Sequence, residues 1–270
     1  MENRKKIAIV APVYLANELH DDFTRQTLRS IHTVENELKN YVIINYSLPQ
    51  YKPKVEDYKH LHLTVIDNPK GNHVGSAWNL GIKMGFEEGA EYVMVINNDI
   101  ILHETAIDQL VKFAEEHQEF ILWSSAEWES LRTIRTVSEK EFSDNFDEHP
   151  HFSCFMINKK TIDIVGWFDE NLQVAYFEDS DTHYRILLSG NRAGKTAKSR
   201  FYHYGSRTIK VDDELYAKNR RTYEANRKYM LKKWNVDFFD KAYDPPEKLL
   251  EEPNIYKHPF NDKSKNWKDW

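Results

Sequence analysis

The residues best suited to chemistry stand at the end of a short apolar run. Tyr92-Val93-Met94-Val95-Ile96 reads as a strand buried on both faces, and Asn97-Asn98-Asp99 breaks it at once. Open α/β sheets bind their ligands at that end of their strands. One carboxylate beside two carboxamides could hold a hard divalent cation and hydrogen-bond a ribose, as a bound nucleoside diphosphate requires. The same triplet also suits a turn or a helix cap, because these side chains bond their own backbone. A second cluster, Glu178-Asp179-Ser180-Asp181, opens a helix. Acids there are stabilised by the helix dipole, and Asp181 can pair with Arg185 one turn later, so capping alone accounts for them. His203 by itself reads as a hydrogen-bonded histidine. His20, His32, His60, His62, His73 and His103 have neither Cys partners nor metal-ligand spacing.

The chain that must position these groups has 270 residues, 30% charged and 40% hydrophobic, which suits one large domain or a domain with an appendage. No apolar run approaches the roughly 20 residues that span a bilayer, and the start Met1-Glu2-Asn3-Arg4-Lys5-Lys6 lacks a signal peptide's apolar core. A cytoplasmic protein is expected. The single cysteine, Cys154, lies in the apolar run Phe152–Ile157 and reads as a buried thiol. The net charge of −6 is unevenly spread: residues 1–191 carry 18 Lys and Arg against 31 Asp and Glu, and residues 192–233 carry 13 against 4. A solvated helix face is the ordinary explanation of such a basic block.

Lys6–Val10 reads as a first strand, closed by Ala11-Pro12-Val13-Tyr14. Asp21-Asp22 could then cap a helix with Phe23, Thr27, Leu28, Ile31, Val34 and Leu38 on one face. Strands follow at Tyr41–Ile44, ending at Asn45, and at Leu61–Ile66. A glycine-punctuated helix from Gly75 leads into the Tyr92 strand. Ile107, Leu110, Val111 and Ala114 mark another helix, and Phe120–Trp123 another strand. These alternations predict a mostly parallel, doubly wound sheet. Residues 125–150 break the rhythm and read as an excursion over the sheet edge where specificity could reside. Regular structure resumes at Phe152–Ile157, a helix from Lys159, and the helix carrying Tyr184, Leu187 and Leu188.

Five segments in this order resemble a family 2 glycosyltransferase of the GT-A fold over about residues 6–210. They are Val10-Ala11-Pro12-Val13-Tyr14, Gly75-Ser76-Ala77-Trp78-Asn79-Leu80-Gly81, Ile96-Asn97-Asn98-Asp99, Gly166-Trp167-Phe168-Asp169-Glu170 and Phe177-Glu178-Asp179-Ser180-Asp181. The resemblance implies a Rossmann-like α/β sheet flanked by helices, and a transferase that is usually metal-dependent and inverting, with a nucleotide-sugar donor of UDP or dTDP type over the strand ends. It sets Pro12 and Tyr14 against the base, Gly75 and Asn79 in the donor site, and Asn97, Asn98 and Asp99 where the family has Asp-x-Asp. Asp99, with His203, would hold Mn2+ or Mg2+. Glu178-Asp179 matches the acidic motif that supplies the general base, a role the family most often gives to the aspartate, here Asp179. The second strand ends in Asn45 where the family commonly has Asp, and Gly71-Asn72-His73 is out of register with the family's pattern.

Such a reaction needs the departing diphosphate charge neutralised and a base within hydrogen-bond reach of the acceptor hydroxyl. A nucleotidyltransferase would instead carry a glycine- and lysine-rich loop after the first strand, which Ala11–Glu18 lacks. A non-catalytic nucleotide-sugar-binding module would have no reason to keep Asp99, Glu178 and Asp179 together. Residues 211–234 read as a helix with Leu215, Tyr216, Tyr223 and Met230 towards one face. The proline- and aromatic-rich stretch from Asn235 would pack on the domain or on a second subunit, as in a homo-oligomer, giving a division into 1–210 and 211–270. With Arg207, Lys210, Arg220, Arg221, Arg227 and Lys228, the basic block suggests an anionic acceptor: a lipid-linked glycan, a cell-surface polymer, or a membrane surface carrying one. A hydroxylated nucleic-acid base is the runner-up, disfavoured by the acidic residues 1–191.

Overall fold

The computed structural model describes residues 4–205 and 213–234. Its centre is a sheet in which β1 (Lys6–Leu15), β2 (Glu37–Ser47), β3 (Leu63–Asp67) and β4 (Tyr92–Ile96) run parallel. They are followed by β5 (Ile100–Leu102), β6 (Phe120–Glu127), β7 (Phe146–Asp147), β8 (Cys154–Ile157) and β9 (Arg192–His203). The order is β3-β2-β1-β4-β8-β6-β9-β5, with β7 also on β9. Strands β5, β7 and β8 run against the others, so the expected mostly parallel sheet is present with an antiparallel insertion.

Side-chain alternation divides the core. Ile7, Ile9, Ala11 and Val13 of β1 face α1 (Glu18–Ser30) and α3 (Ala106–Glu116), whereas Ala8 and Val10 face α2 (Val74–Glu87). On that opposite side, α5 (Lys159–Val165) and α6 (Glu178–Leu188) add Ile162, Val165 and Ile186. A short α4 (Leu131–Ile134) and β7 occupy the expected excursion, and a long α7 (Asp213–Trp234) ends the described chain. Among the described residues no helix is long and apolar enough to cross a membrane. Cys154 is fully buried, as expected, and burial pushes its thiol up to about 12.

Several boundaries differ from expectation for identifiable reasons. β1 continues through Pro12 and Tyr14, because β2 runs beside it and pairs Pro12 with Ile43 and Tyr14 with Tyr46 across a register shift. Neighbouring β4 pairs only as far as Val10, so a strand edge is open where the proline stands. α1 begins at Glu18, before Asp21-Asp22, because Asn17 is its cap: Asn17 Oδ1 accepts from the His20 N–H at 3.0 Å. It ends at Ser30, which leaves Val34 66% exposed and puts Leu38 in β2. β5 and β9 were not expected. The 12 residues of β9 carry four cations, and their strand character comes from pairing with β5, β6 and β7.

The glycines of α2 set how closely it packs on the sheet. A Cβ on Gly81 would lie 2.3 Å from Val10 Cγ1, and one on Gly85 would lie 2.7 Å from Ala8 Cβ. Val10 is a buried, β-branched strand residue with no room to move. Gly81→Ala is therefore expected to destabilise the fold by about 1–3 kcal/mol, read as a lower midpoint in urea unfolding.

Candidate active site

The mouth of β4 is built from two directions. Asn97 donates its N–H to Ser153 O at 2.9 Å and its carboxamide to Ser153 Oγ at 3.2 Å. Asn98, buried, donates to Thr24 Oγ1 of α1 at 3.0 Å. The two carboxamides thus lock the strand end to its neighbours. Immediately after them β5 pairs antiparallel with β9, setting Ile100 opposite His203. Asp99 Oδ1 and His203 Nε2 consequently lie 3.2 Å apart, and the Tyr204 N–H donates to Asp99 O at 3.0 Å. Asp99 is 4% exposed. A carboxylate and an imidazole from distant parts of the chain meet here.

At the end of β1, Tyr14 stacks on Tyr46 with ring centroids 5.0 Å apart and planes 29° apart. Asn45 is buried and its Oδ1 accepts from Asn68 Nδ2 at 2.8 Å. Asn68 Nδ2 also reaches Gly71 O, His73 O and Ser76 Oγ, so Asn45 anchors the turn that leads into α2. His73 caps that helix through Ser76 N–H at 3.1 Å. Gly75, in the first turn, is so placed that a Cβ would lie 3.5 Å from Glu178 Cγ and 3.4 Å from Asp169 O. Asn79 is fully buried: its carboxamide donates to Phe168 O and Glu170 Oε1, both at 2.9 Å, and accepts from the Phe168 N–H at 3.0 Å. It shapes the 166–170 segment and is not open to a ligand. Trp78 is packed edge-on against Phe155 and Phe168.

The acidic motif follows a contorted approach. Val174, Tyr176 and Phe177 have φ of 59°, 83° and 78°. Non-glycine residues in the left-handed region cost about 1–3 kcal/mol each, and a β-branched valine is among the least tolerant. Strain of this kind persists only where surrounding contacts over-determine it. Glu178 then begins α6, 2% exposed, with Oε1 lacking any hydrogen-bond partner among the described residues. Burial, and then the charge of Asp179, push its carboxyl up to about 8. Asp179 is only half-buried and accepts from the Ser180 N–H at 2.8 Å.

With this geometry in place, comparison with known proteins is informative. Residues 8–163 match the model of glycosyl transferase family 2. The chain belongs to this family. It is 23% identical over 235 residues to a galactofuranosyl glycosyltransferase of Leishmania donovani, spanning 71% of this chain and 53% of that protein, so it covers about half the relative's length. S. aureus TarS 1–349 in complex with UDP has a TM-score of 0.55 at 18% identity, covering 73% of this chain and 60% of its own. A Pyrobaculum calidifontis mannosyltransferase in complex with GDP-Man and Mn2+ has a TM-score of 0.56 at 13% identity, covering 76% and 59%. The fold is the GT-A fold of these glycosyltransferases.

Beyond residue 163, where the family match ends, α7 packs on the preceding elements through contacts the sequence did not disclose. Lys233 is buried and lies 2.5 Å from both Asp169 Oδ2 and Asp181 Oδ1. Tyr229 OH donates to Asp169 Oδ2 at 2.8 Å, and Trp234 Nε1 donates to Asp181 Oδ1 at 3.0 Å. The expected Asp181–Arg185 pair is present at 3.0 Å. Asn226, also buried, bonds the backbone of residues 173–176. The buried face of α7 is thus Leu215, Asn219, Asn226, Met230, Lys233 and Trp234, whereas Tyr216 and Tyr223, expected to face inward, are 44% and 39% exposed. Asn226 and Lys233 face inward because backbone and carboxylate partners await them, whereas the buried Asn219 Oδ1 has no hydrogen-bond partner among the described residues.

The basic block also divides. In β9, Arg192, Lys195 and Lys198 pair with Glu148, Asp147 and Asp144 of the excursion at 2.5, 3.3 and 2.8 Å. Arg220, Arg221 and Lys228 of α7 are exposed, and Arg207, Lys210 and the aromatic stretch from Asn235 lie outside the described residues. One further histidine escaped the sequence reading because only the fold brings it in: His151, bonded to Glu127 Oε2 at 3.2 Å, has its ring 6.4 Å from that of His203. It borders a cavity of about 370 Å3 between the ends of β6, β7 and β9.

Two stability effects should be measurable. Burial raises the Asp169 carboxyl, but the Lys233 charge and hydrogen bonds from Lys233, the Asn171 N–H and Tyr229 outweigh it and hold it at about 2. Its stabilising contribution is therefore present above the ordinary carboxylate range near ~3.9 and lost as pH falls towards 2. Lys233→Ala, which takes the counter-ion from buried Asp169 and leaves Asp181 with Arg185 alone, should cost about 3–5 kcal/mol in urea unfolding at neutral pH. Glu178 has the opposite sign: raised from its ordinary 4.5 to about 8, it favours folding fully below 4.5 and progressively less up to pH 8. Glu178→Gln should flatten the decline of unfolding free energy between those pH values.

Proposed function

We propose that this chain is a metal-dependent, inverting glycosyltransferase that moves a sugar from a nucleotide-sugar donor of UDP or dTDP type to an acceptor hydroxyl. The observation that carries the reading is the meeting of Asp99 and His203, 104 positions apart in sequence, at one strand mouth. A carboxylate and an imidazole suit Mn2+ or Mg2+ as a partial ligand set. Among the described residues no group of three or more His, Cys, Asp or Glu side chains could hold a metal alone, which fits a cation shared with the donor's phosphates. A divalent cation held there would neutralise the charge of the departing diphosphate. The complexes of the structural neighbours with UDP, and with GDP-Man and Mn2+, support this use of the fold.

The two carboxyls of the acidic motif have different tasks. Glu178, buried and raised to about 8, keeps its proton at pH 7 and can hold the α2 side of the site without adding charge near the phosphates. Asp179, half-exposed at the helix start, is left to accept the proton of the acceptor hydroxyl as the new glycosidic bond forms. Tyr14 and Tyr46 offer an aromatic pair for the nucleotide base. The acceptor we propose is anionic, a lipid-linked or cell-surface glycan met at a membrane surface. Its attraction would come from the exposed Arg220, Arg221 and Lys228 of α7, which, among the described residues, lie in none of the ion pairs that neutralise β9.

Asp179→Asn is expected to lower transfer by about 10²–10⁴-fold while nucleotide affinity survives, and Glu178→Gln to retain most transfer at pH 7. Collapse of Glu178→Gln with an active Asp179→Asn would exchange the roles. Nucleoside diphosphate binding, followed by calorimetry, should weaken on chelation and in Asp99→Ala; an affinity indifferent to both would remove the metal from the mechanism. Vesicles with anionic lipid should bind the protein at low salt and release it at high salt, less so in Arg220→Ala/Arg221→Ala.

A further inference from the structure

The strained approach to the acidic motif is held from a distant helix: Tyr223 of α7 packs on Tyr176 and Phe177, with ring centroids 5.4 and 5.0 Å apart, and Asn226 of the same helix bonds the backbone of residues 173–176. Asn226, on the buried face of α7, accepts from the Gln173 N–H at 2.9 Å through Oδ1. Its Nδ2 lies 2.8 Å from Gln173 O, 3.2 Å from Ala175 O and 3.3 Å from Tyr176 O. Asn226 is 2% exposed. An asparagine carboxamide presents one donor end and one acceptor end in a fixed plane, so it can satisfy backbone groups of residues 173–176 that the single bridge between His73 and Val174 does not reach. Val174 and Tyr176 are left-handed within the stretch these bonds hold, and the left-handed Phe177 lies between it and Glu178. The other side of the segment is tied to α2, where the Val74 N–H donates to Val174 O at 2.9 Å.

We infer that Asn226 is a positioning residue for transfer: by clamping residues 173–176 in their left-handed conformation it fixes where α6 starts and hence where Asp179 presents its carboxylate. This inference rests on the reading of Asp179 as the base. Released from the clamp, Val174, Tyr176 and Phe177 relax towards ordinary φ, and the first turn of α6 shifts with them. The donor side, carried by β1, β4, Asp99 and His203, does not depend on this segment. The loss should therefore fall on the chemical step and not on donor binding.

The test compares wild type, Asn226→Ala, Asn226→Asp, and Asn226→Ala combined with Tyr176→Gly. Asn226→Ala should lower kcat for transfer by roughly 10–100-fold with the donor KM within about twofold. Asn226→Asp, which keeps the acceptor end but turns a donor into an anion facing three carbonyls, should be no better. Glycine adopts positive φ without penalty, so Tyr176→Gly in the Asn226→Ala background should recover most of the lost kcat. Tyr176 also packs on Tyr223 of α7, ring centroids 5.4 Å apart, so Tyr176→Gly weakens the docking of α7, and rescue by it would not occur if Asn226 merely docked that helix. The inference is overturned by a kcat within about twofold of wild type in Asn226→Ala, by donor affinity falling in step with kcat, or by absence of glycine rescue. Amide hydrogen exchange supplies a readout apart from activity: residues 173–177 should lose protection in Asn226→Ala while β1 and β4 keep theirs, and unchanged protection overturns the clamp. If the wild type transfers sugar to no acceptor, the functional reading fails, and exchange alone decides the inference.

Discussion

Lys233 lies between Asp169 and Asp181 with almost no access to solvent. Removing three charges from water is costly, and their mutual attraction offsets that cost only when distances are short and the remaining lone pairs are occupied. Both conditions hold: Tyr229 and the Asn171 amides serve Asp169, while Arg185 and Trp234 serve Asp181. A one-residue slip of α7 would take the ammonium away from both carboxylates, leaving Asp169 without a counter-ion and Asp181 with Arg185 alone. The triad therefore acts less as a source of net stability than as a register pin for the helix. Everything α7 does elsewhere, the Asn226 bonds included, depends on that register.

From the pin the constraint runs to the chemistry through covalently short paths. Asp169 ends the segment that Asn79 holds against α2, and Asp181 stands on the first turn of α6, two residues beyond Asp179. The acidic motif is thus gripped from three sides, by α2 at Gly75, by the 166–170 segment, and by α7. Such over-determination is what permits three left-handed non-glycine residues to persist in front of it. It also explains how adjacent carboxyls come to differ. Glu178 is driven into the packing against Gly75, which raises its carboxyl, whereas Asp179, one residue on, stays half-exposed.

The uneven charge of the chain is likewise resolved by folding. Acidic residues of the 144–148 segment lie along β9 and pair with three of its four cations, while Arg200 lies over Trp128 and Phe142, and Lys233 is withdrawn into the interior. What a linear count presents as one basic block becomes a largely neutralised strand, a buried pin and an exposed cationic helix face. Among the described residues of the block, the last is the face most exposed to a partner at long range.

The order of strands and helices in the first half of the chain, the burial of the Tyr92–Ile96 strand, the helix at Lys159 and the helix that opens with Glu178 were all legible from residue type and period, because each buries a face that its own pattern defines. The candidate site residues Asp99, His203, Glu178 and Asp179 were singled out by the resemblance of their segments to family 2 motifs, since residue type alone leaves them open to turn, capping and hydrogen-bonding roles. Tertiary structure decided the rest. β9 and β5 are strands because partners complete their hydrogen bonds, a condition no local pattern reports. His151 reaches His203, Asp169 reaches Lys233 and Asn226 reaches residues 173–176 across long separations in the chain, and residue type alone marks each of them only as polar. Contacts between distant segments are fixed by how whole elements pack, so the roles of Asn226 and Lys233 exist only once α7 has docked.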